Sequence, residues 1–142
     1  MIKALIFDFD GLILDTETHE YEVLQEIFEE HGSVFTAYLS GERSSELSCG
    51  FPVAFDYLEE QIGKKLNHEE LTQLRRERFA KRMESEKARP GVEAYLNAAK
   101  VLGLKVGFAS SSDYKWVSVP FEANRACLMI LKLFKRLMMW KR

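Results

Sequence analysis

The first seventeen residues constrain the fold of this chain more than any other feature. An uncharged apolar run, residues 4–7, ends at two acidic residues, Asp8 and Asp10, and Gly11 follows them. This pattern predicts a buried β-strand with two acid groups at its carboxyl end, where open α/β sheets bind their ligands. Residues two apart point to the same side of a strand, and two carboxylates held together repel unless a cation or a shared proton intervenes. The pair therefore predicts a Mg²⁺ site that also handles a phosphoryl group.

The rest of the chain reads as helices followed by one further strand. The helical spacing of apolar residues predicts helices over residues 16–30, 53–62, 67–87 and 92–102. Thr16 and Thr18 are both candidate N-caps of the first helix, and Asn67 with Glu70 predicts a capping box on the third. Residues 33–52 follow no period and are predicted as a loop.

A second apolar run, residues 104–109, predicts another strand, and three serines, residues 110–112, follow it. If the two strands are parallel neighbours, the carboxyl ends of both lie at the same edge of the sheet. The acid groups and the serines are then expected at one site. The order of elements predicts an α/β fold with a helical segment inserted after the first strand.

Composition excludes several classes of protein. The 142 residues suffice for one domain, or for a small domain with an insert, and 46% hydrophobic with 30% charged residues is ordinary for a globular protein. A net charge of −2 gives no general attraction for nucleic acid. Cys49 and Cys127 have no metal-binding spacing, and two cysteines do not suggest a disulfide framework, which predicts a cytoplasmic protein. The sequence predicts neither a secretory signal nor a transmembrane helix.

The stretch from Asp8 to Glu17 resembles the first motif of the haloacid dehalogenase superfamily, in particular its β-phosphoglucomutase-like and phosphoglycolate-phosphatase-like subfamily. Residues 106–110 resemble a second motif, and residues 89–92 resemble the entry into the preceding helix. The resemblance covers residues 1–33 and 53–118. It implies a Rossmann-like core with an incomplete parallel sheet, made of residues 1–14 and 88–118. Residues 15–87 are expected to form an inserted α-helical cap, and residues 119–142 an atypical tail.

The resemblance also implies a role for each candidate site residue. Asp8 would attack phosphorus and ligate Mg²⁺. Asp10 would act as general acid and then as general base, with its backbone carbonyl on the metal. The phosphoryl group would be held by Ser110 and by backbone N–H groups near Gly11 and Ser111. Those donors suit phosphoryl charge, and a carboxylate nucleophile divides hydrolysis into two steps.

Thr16 would mark the hinge where the cap begins, and the cap would exclude water and select the substrate. The expected function is a Mg²⁺-dependent phosphomonoester hydrolase that acts on a small phosphorylated metabolite through an aspartyl-phosphate. A sugar-phosphate mutase would use the same two aspartates.

Other interpretations of these residues are weaker. Asp8 and Asp10 could serve only as turn formers after a strand. An EF-hand loop would need oxygen ligands where Leu12 and Leu14 stand. The basic residues between 75 and 82 are expected on a solvated helix face. No pair of histidines has metal-binding spacing.

The chain departs from the family pattern after its second motif. The family expects a later lysine and a second acidic cluster, but only 32 residues follow Ser110, and residues 119–142 are basic and rich in Met and Leu. We therefore expect a truncated or frame-disrupted member of the family, which the other two reading frames of the coding DNA would test. One alternative is a non-catalytic remnant or binding module. Another is that residues 125–142 form a basic amphipathic helix for an anionic membrane surface or a partner groove. An incomplete sheet edge also predicts self-association.

Overall fold

The structure is a computed structural model that describes residues 2–35, 52–110, 112 and 114–124. Its elements in chain order are β1 (Ala4–Asp8), α1 (Thr16–Glu30), α2 (Pro52–Ile62), α3 (His68–Met83), α4 (Val92–Val101), β2 (Lys105–Ala109) and α5 (Tyr114–Ala123). Most of the loop predicted over residues 33–52, and the amphipathic helix predicted over residues 125–142, lie outside the described residues. The first residues of the predicted tail, 119–123, continue α5.

The two strands are parallel neighbours, as expected from the sequence. Their register runs from Ala4 opposite Lys105 to Asp8 opposite Ala109. Both strands therefore end at the same edge of the sheet, with Asp8 beside the residue that precedes Ser110. The fold is thus of the α/β class with a parallel strand pair, and this edge carries the candidate site.

The prediction that β1 is a buried strand is wrong for the described part of the chain. The strand alternates between exposed and half-buried residues, and Ile6 is 61% exposed. Within that part of the chain β1 pairs only with β2, and the core covers one face of the pair, where Phe7 and Val106 pack. The core of this region consists of Phe9, Ile13, Leu14, Val92, Leu96, Phe108 and Val117.

Capping explains where two of the helices begin or end. Asn67 Oδ1 accepts the backbone N–H of Glu70 at 3.4 Å, which confirms Asn67 as the N-cap of α3. The Glu70 carboxylate accepts the side-chain amide of Asn67 at 2.8 Å, whereas the predicted capping box would use the backbone N–H of Asn67. Helix α1 ends at Glu30, and Gly32 follows it with a φ of +72°, in the left-handed region that favours glycine. The backbone N–H of Ser33 then reaches back to the carbonyl of Phe28 at 2.9 Å.

Helix α3 ends at Met83, earlier than the predicted residue 87. Asn124, at the end of α5, donates its side-chain amide to the carbonyls of Met83 and Glu86 at 2.9 and 2.7 Å. These bonds satisfy carbonyls that a continuing helix would have paired internally. Because the capping residue lies 41 positions away in sequence, helical periodicity could not predict this end.

The described residues fall into two compact units. The strand unit is drawn from Met1–Thr18 and Ala80–Arg142, and the helical unit from His19–Phe79. In the helical unit Phe28 packs against Phe35 with 4.8 Å between ring centroids. Among the described residues, every helix is too short or too polar to span a lipid bilayer. The cap role and the domain bounds expected from the sequence stay predictions.

Candidate active site

The candidate site forms where the loop after β1 returns to α1. The loop closes through a bond from the backbone N–H of Ile13 to the carbonyl of Phe9 at 3.1 Å. Gly11 adopts a φ of +70°, and a Cβ at this position would lie 3.1 Å from Glu17 Oε2. A residue with a side chain would therefore be strained by its backbone angle and crowded by Glu17.

Strand β1 ends at Asp8, so the alternation of a strand does not orient Asp10; the loop does. Asp8 is exposed, and its Oδ1 accepts the backbone N–H of Phe9 at 2.8 Å. Asp10 is half-buried. The two carboxylates thus differ in environment: one is open to solvent, while the other is enclosed by hydrogen-bond donors.

Four side chains donate hydrogen bonds to the carboxylate of Asp10. Its Oδ1 accepts from the Thr16 hydroxyl at 3.0 Å and from the Trp116 indole N–H at 2.9 Å. Its Oδ2 accepts from the Ser110 hydroxyl at 3.0 Å and from the Ser112 hydroxyl at 2.8 Å. Because a carboxylate offers about four lone-pair directions, this set of donors fills them.

The structure brings Asp10, Gly11, Thr16 and Ser110 together. The donors expected to bind phosphate, Ser110 and the Gly11 N–H, are hydrogen-bonded to Asp10 and Thr16 instead. Ser110 is 4% exposed, and its hydroxyl binds Asp10 while accepting the backbone N–H of Ser112 at 3.0 Å. The backbone N–H of Gly11 donates to Thr16 Oγ1 at 3.3 Å. Ser111 lies outside the described residues. The phosphate-binding role of these residues stays a prediction.

Ser112 and Trp116 are site residues that sequence reasoning missed. The run of three serines gave no sign of which hydroxyl faces Asp10, and Trp116 lies 106 positions from Asp10. Its place on a helix that follows the serine-bearing turn is the one signal that could have drawn attention to it. Half-buried indoles usually find an acceptor for their N–H group, and here that acceptor is a carboxylate.

Asp15, rather than Thr16 or Thr18, caps α1. Its Oδ1 accepts the backbone N–H of Thr18 at 3.3 Å, and Thr16 is already the first residue of the helix. Asp15 Oδ2 also lies 2.9 Å from Arg89 Nη1, and the backbone N–H of Arg89 donates to the carbonyl of Ile13 at 3.0 Å. Arg89 therefore connects the segment before α4 to the site loop.

In the helical unit, the prediction that Arg75 lies on a solvated face is wrong. Arg75 is 3% exposed, and its Nη1 lies 2.7 Å from Glu20 Oε1. Burial raises the pKa of Glu20 above its ordinary value, against the opposing attraction of the Arg75 guanidinium. Arg75 stands midway between Leu71 and Phe79 on one stripe of α3, a spacing of four residues that could have indicated its burial.

The donors around Asp8 suit Mg²⁺, which binds through one or two carboxylates together with water and substrate phosphate. Asp8 offers an exposed carboxylate. Both side-chain oxygens of Asp10 are engaged by four donors, so a metal role for Asp10 falls to its backbone carbonyl, as the resemblance implies.

A second group of ligand-type side chains lies in the helical unit. Atoms of Asp56, Glu59 and His68 lie within 4.8 Å of one another. The ammonium of Lys65 already lies 2.5 Å from Glu59 Oε2, so a metal cation would meet a positive charge there. We assign no metal to this group.

Comparison with known proteins identifies the family. The model of haloacid dehalogenase-like hydrolases matches residues 5–130, so the chain belongs to that family. The match runs across residues 34–52 and beyond residue 118, further along the chain than the motifs alone indicated.

Among curated proteins, the chain is 82% identical over 118 residues to "Putative phosphatase YhcW" of Bacillus subtilis (strain 168). This match covers 83% of the chain and 53% of the relative, so the chain spans about half the length of that protein.

Solved structures share the fold. A "putative beta-phosphoglucomutase" from Thermotoga maritima superposes with a TM-score of 0.70 at 23% identity, and the match covers 97% of this chain and 61% of that one. The "putative HAD-hydrolase YfnB" from Bacillus subtilis, solved bound to magnesium, gives a TM-score of 0.69 at 15% identity, and the match covers 97% of this chain and 65% of that one. The fold is therefore that of the haloacid dehalogenase core.

Proposed function

We propose that this chain carries the nucleophile and the acid–base residue of a Mg²⁺-dependent phosphomonoester hydrolase that acts on a small phosphorylated metabolite. The observation that carries the proposal is the pairing of two unlike carboxylates at one sheet edge. Asp8 is exposed at the end of β1, and Asp10 is held by four donors two residues later. Membership of the hydrolase family and the likeness to a protein named as a phosphatase support it.

In the proposed reaction an oxygen of the Asp8 carboxylate attacks phosphorus, and the bond between phosphorus and the ester oxygen breaks. Asp10, in the acid form that becomes possible once the Ser110 hydroxyl leaves Oδ2, gives a proton to the leaving alkoxide. The aspartyl-phosphate is then hydrolysed by a water molecule whose proton passes to Asp10. When bound at Asp8 and the Asp10 carbonyl, Mg²⁺ would neutralise charge between the anionic nucleophile and the anionic substrate.

Three further features of the site belong to the proposal. Ser110, with the N–H groups near Gly11 and Ser111, would hold the phosphoryl oxygens, which requires the Ser110 hydroxyl to turn from Asp10 towards the substrate. Thr16 would be the cap hinge, because it lies three residues before His19, where the helical unit begins. That unit would select the substrate.

The test is Mg²⁺-dependent phosphate release from an aryl phosphate. We expect Asp8→Asn to lower turnover at least about 10³-fold, since removing a nucleophile typically leaves only residual catalysis. Asp10→Asn should cost about 10²- to 10⁴-fold, the usual contribution of general acid–base catalysis. Asp56→Asn, which alters an exposed carboxylate of the helical unit, should leave the rate unchanged.

A folded wild-type chain without Mg²⁺-dependent turnover would contradict the hydrolase proposal and support a non-catalytic remnant. Turnover that persists in Asp8→Asn would refute the assigned nucleophile. Product analysis with a sugar phosphate separates hydrolysis from the mutase alternative, because both would use the same aspartates. Cytoplasmic location and self-association stay predictions, and sedimentation of the purified chain checks the latter.

A further inference from the structure

The donors that hold Asp10 come from two different parts of the strand unit. Thr16 belongs to α1, directly after the site loop, whereas Ser110, Ser112 and Trp116 follow β2. Each oxygen of the Asp10 carboxylate accepts two hydrogen bonds. One comes from a residue already given a role in the proposed function, and the other comes from a residue that has no role in it. For Oδ1 these are Thr16 and Trp116, and for Oδ2 they are Ser110 and Ser112.

Trp116 is suited to fix the position of a carboxylate. Its ring packs against the core cluster that includes Phe9 and Phe108, so the indole is held by apolar contacts. An indole offers a single donor, and this one lies 2.9 Å from Asp10 Oδ1. Ser112 is placed by the backbone, because its own N–H donates to Ser110 Oγ at 3.0 Å.

We infer that Ser112 and Trp116 are positioning residues for Asp10, an inference that rests on the proposed function. Catalytic groups must be held within about 0.5 Å of their working geometry. When Ser110 turns to a phosphoryl oxygen, Asp10 loses one donor on Oδ2, and Ser112 remains on that oxygen. Trp116 remains on Oδ1 even if Thr16 moves at the hinge. The two residues thus keep both oxygens fixed while the other two donors are used elsewhere.

The contact itself can be measured without turnover. In ¹⁵N–¹H spectra of the 142-residue chain, the indole resonance of Trp116 is assigned with Trp116→Phe and Trp140→Phe variants. We expect Asp10→Ala to shift this resonance and to accelerate solvent exchange of its proton about tenfold, since a charge-assisted hydrogen bond is lost. An indole resonance identical in wild type and Asp10→Ala overturns the inference.

The orientation of Asp10 is measured in the same samples. We expect Ser112→Ala and Trp116→Phe each to shift the ¹³C resonance of the Asp10 carboxylate, whereas Ser85→Ala, at an exposed serine of the same unit, leaves it unchanged. An Asp10 resonance unmoved in both positioning variants overturns the inference, whether or not the chain turns over.

Kinetics then separate positioning from a structural role. Ser112→Ala and Trp116→Phe should each lower kcat about tenfold with KM changed less than about twofold, because Asp10 acts on the reaction step. Ser112→Thr, which keeps the hydroxyl, should recover most of kcat. If both variants retain wild-type kcat while Asp8→Asn is inactive, positioning is refuted although the hydrolase proposal stands. If wild type shows no turnover, the hydrolase proposal fails, and the two spectral measurements decide whether Ser112 and Trp116 orient Asp10.

Discussion

Two carboxylates in different units of this protein are withdrawn from solvent by different means. Asp10 in the strand unit is held by three hydroxyls and an indole, all of them neutral donors. Glu20 in the helical unit is 9% exposed and pairs with the guanidinium of Arg75 at 2.7 Å. Neutral donors orient a carboxylate and leave its charge uncompensated, whereas a guanidinium offsets that charge.

The difference fits the proposed catalytic role of Asp10 and a structural role for Glu20. A negative charge that is oriented but not cancelled can attract a cation or exchange a proton with a substrate. A charge cancelled by a buried partner contributes little to binding, and its removal mainly affects folding. Mutations that disturb Asp10 should therefore lower turnover, whereas mutations that disturb the Glu20 pair should lower the free energy of unfolding.

The largest expected effect on stability comes from breaking the buried pair. Arg75→Met leaves Glu20 buried without its cation, and one oxygen of Glu20 already has no hydrogen-bond partner among the described residues. Unfolding in urea should show a loss of about 3–5 kcal/mol, the usual cost of removing one partner of a buried ion pair.

Arg76→Met is the matched control, because Arg76 is exposed on the same helix. Its free energy of unfolding should stay within about 0.5 kcal/mol of wild type. Equal losses in the two variants would show that Arg75 is not buried against Glu20 in solution. Glu20 could then no longer be contrasted with Asp10 as a carboxylate neutralised by a buried cation.

A smaller loss of stability is expected from removing the Thr16 hydroxyl, which bonds both Asp10 and the backbone of Gly11. Thr16 is fully buried, and Thr16→Val removes both the bond to Asp10 and the acceptor for the Gly11 N–H. Leaving buried polar groups unsatisfied should cost about 1–3 kcal/mol in urea unfolding.

The exposed residue Thr18 provides the control, since Thr18→Val makes the same change on the solvent side of α1. Thr16→Ser, which keeps the hydroxyl, should recover most of the lost stability. If Thr16→Val is as stable as Thr18→Val, the Thr16 hydroxyl does not hold the loop, and Asp10 is positioned by the other three donors alone.

The sequence predicted the parts of this structure that depend on neighbours in the chain. The two strands, the capping interaction of Asn67 and the placing of Asp8 at a sheet edge follow from local patterns. Arg75 and Trp116 were missed because their partners lie 55 and 106 positions away. The sequence shows that a donor is present, but it does not show which acceptor the donor binds. That depends on how α3 packs beside Glu20 and how α5 packs beside Asp10.

The smallest expected effect concerns a third carboxylate, Glu59. Its partners are a backbone N–H group and an exposed lysine, whereas the partner of Glu20 is a buried arginine. The backbone N–H of Leu66 and the Lys65 ammonium lower the pKa of Glu59 to about 2 from 4.5. The folded protein thus binds fewer protons than the unfolded chain between these values, so Glu59 contributes stability above pH 4.5 that is lost as pH falls towards 2. The raised pKa of Glu20 has the opposite sign, because its contribution is present below pH 4.5 and is lost as pH rises.

Urea midpoints measured between pH 2 and 5 separate the two glutamates. Glu59→Gln should flatten the acid loss of stability, since glutamine cannot titrate. A salt concentration of 1 M should weaken the part due to Lys65, which is 90% exposed. Glu60→Gln, at the exposed neighbouring position, should follow the wild-type curve. If Glu59→Gln also follows the wild-type curve, the Leu66 N–H does not lower the pKa of Glu59. The two glutamates would then differ less in pKa than the structure indicates.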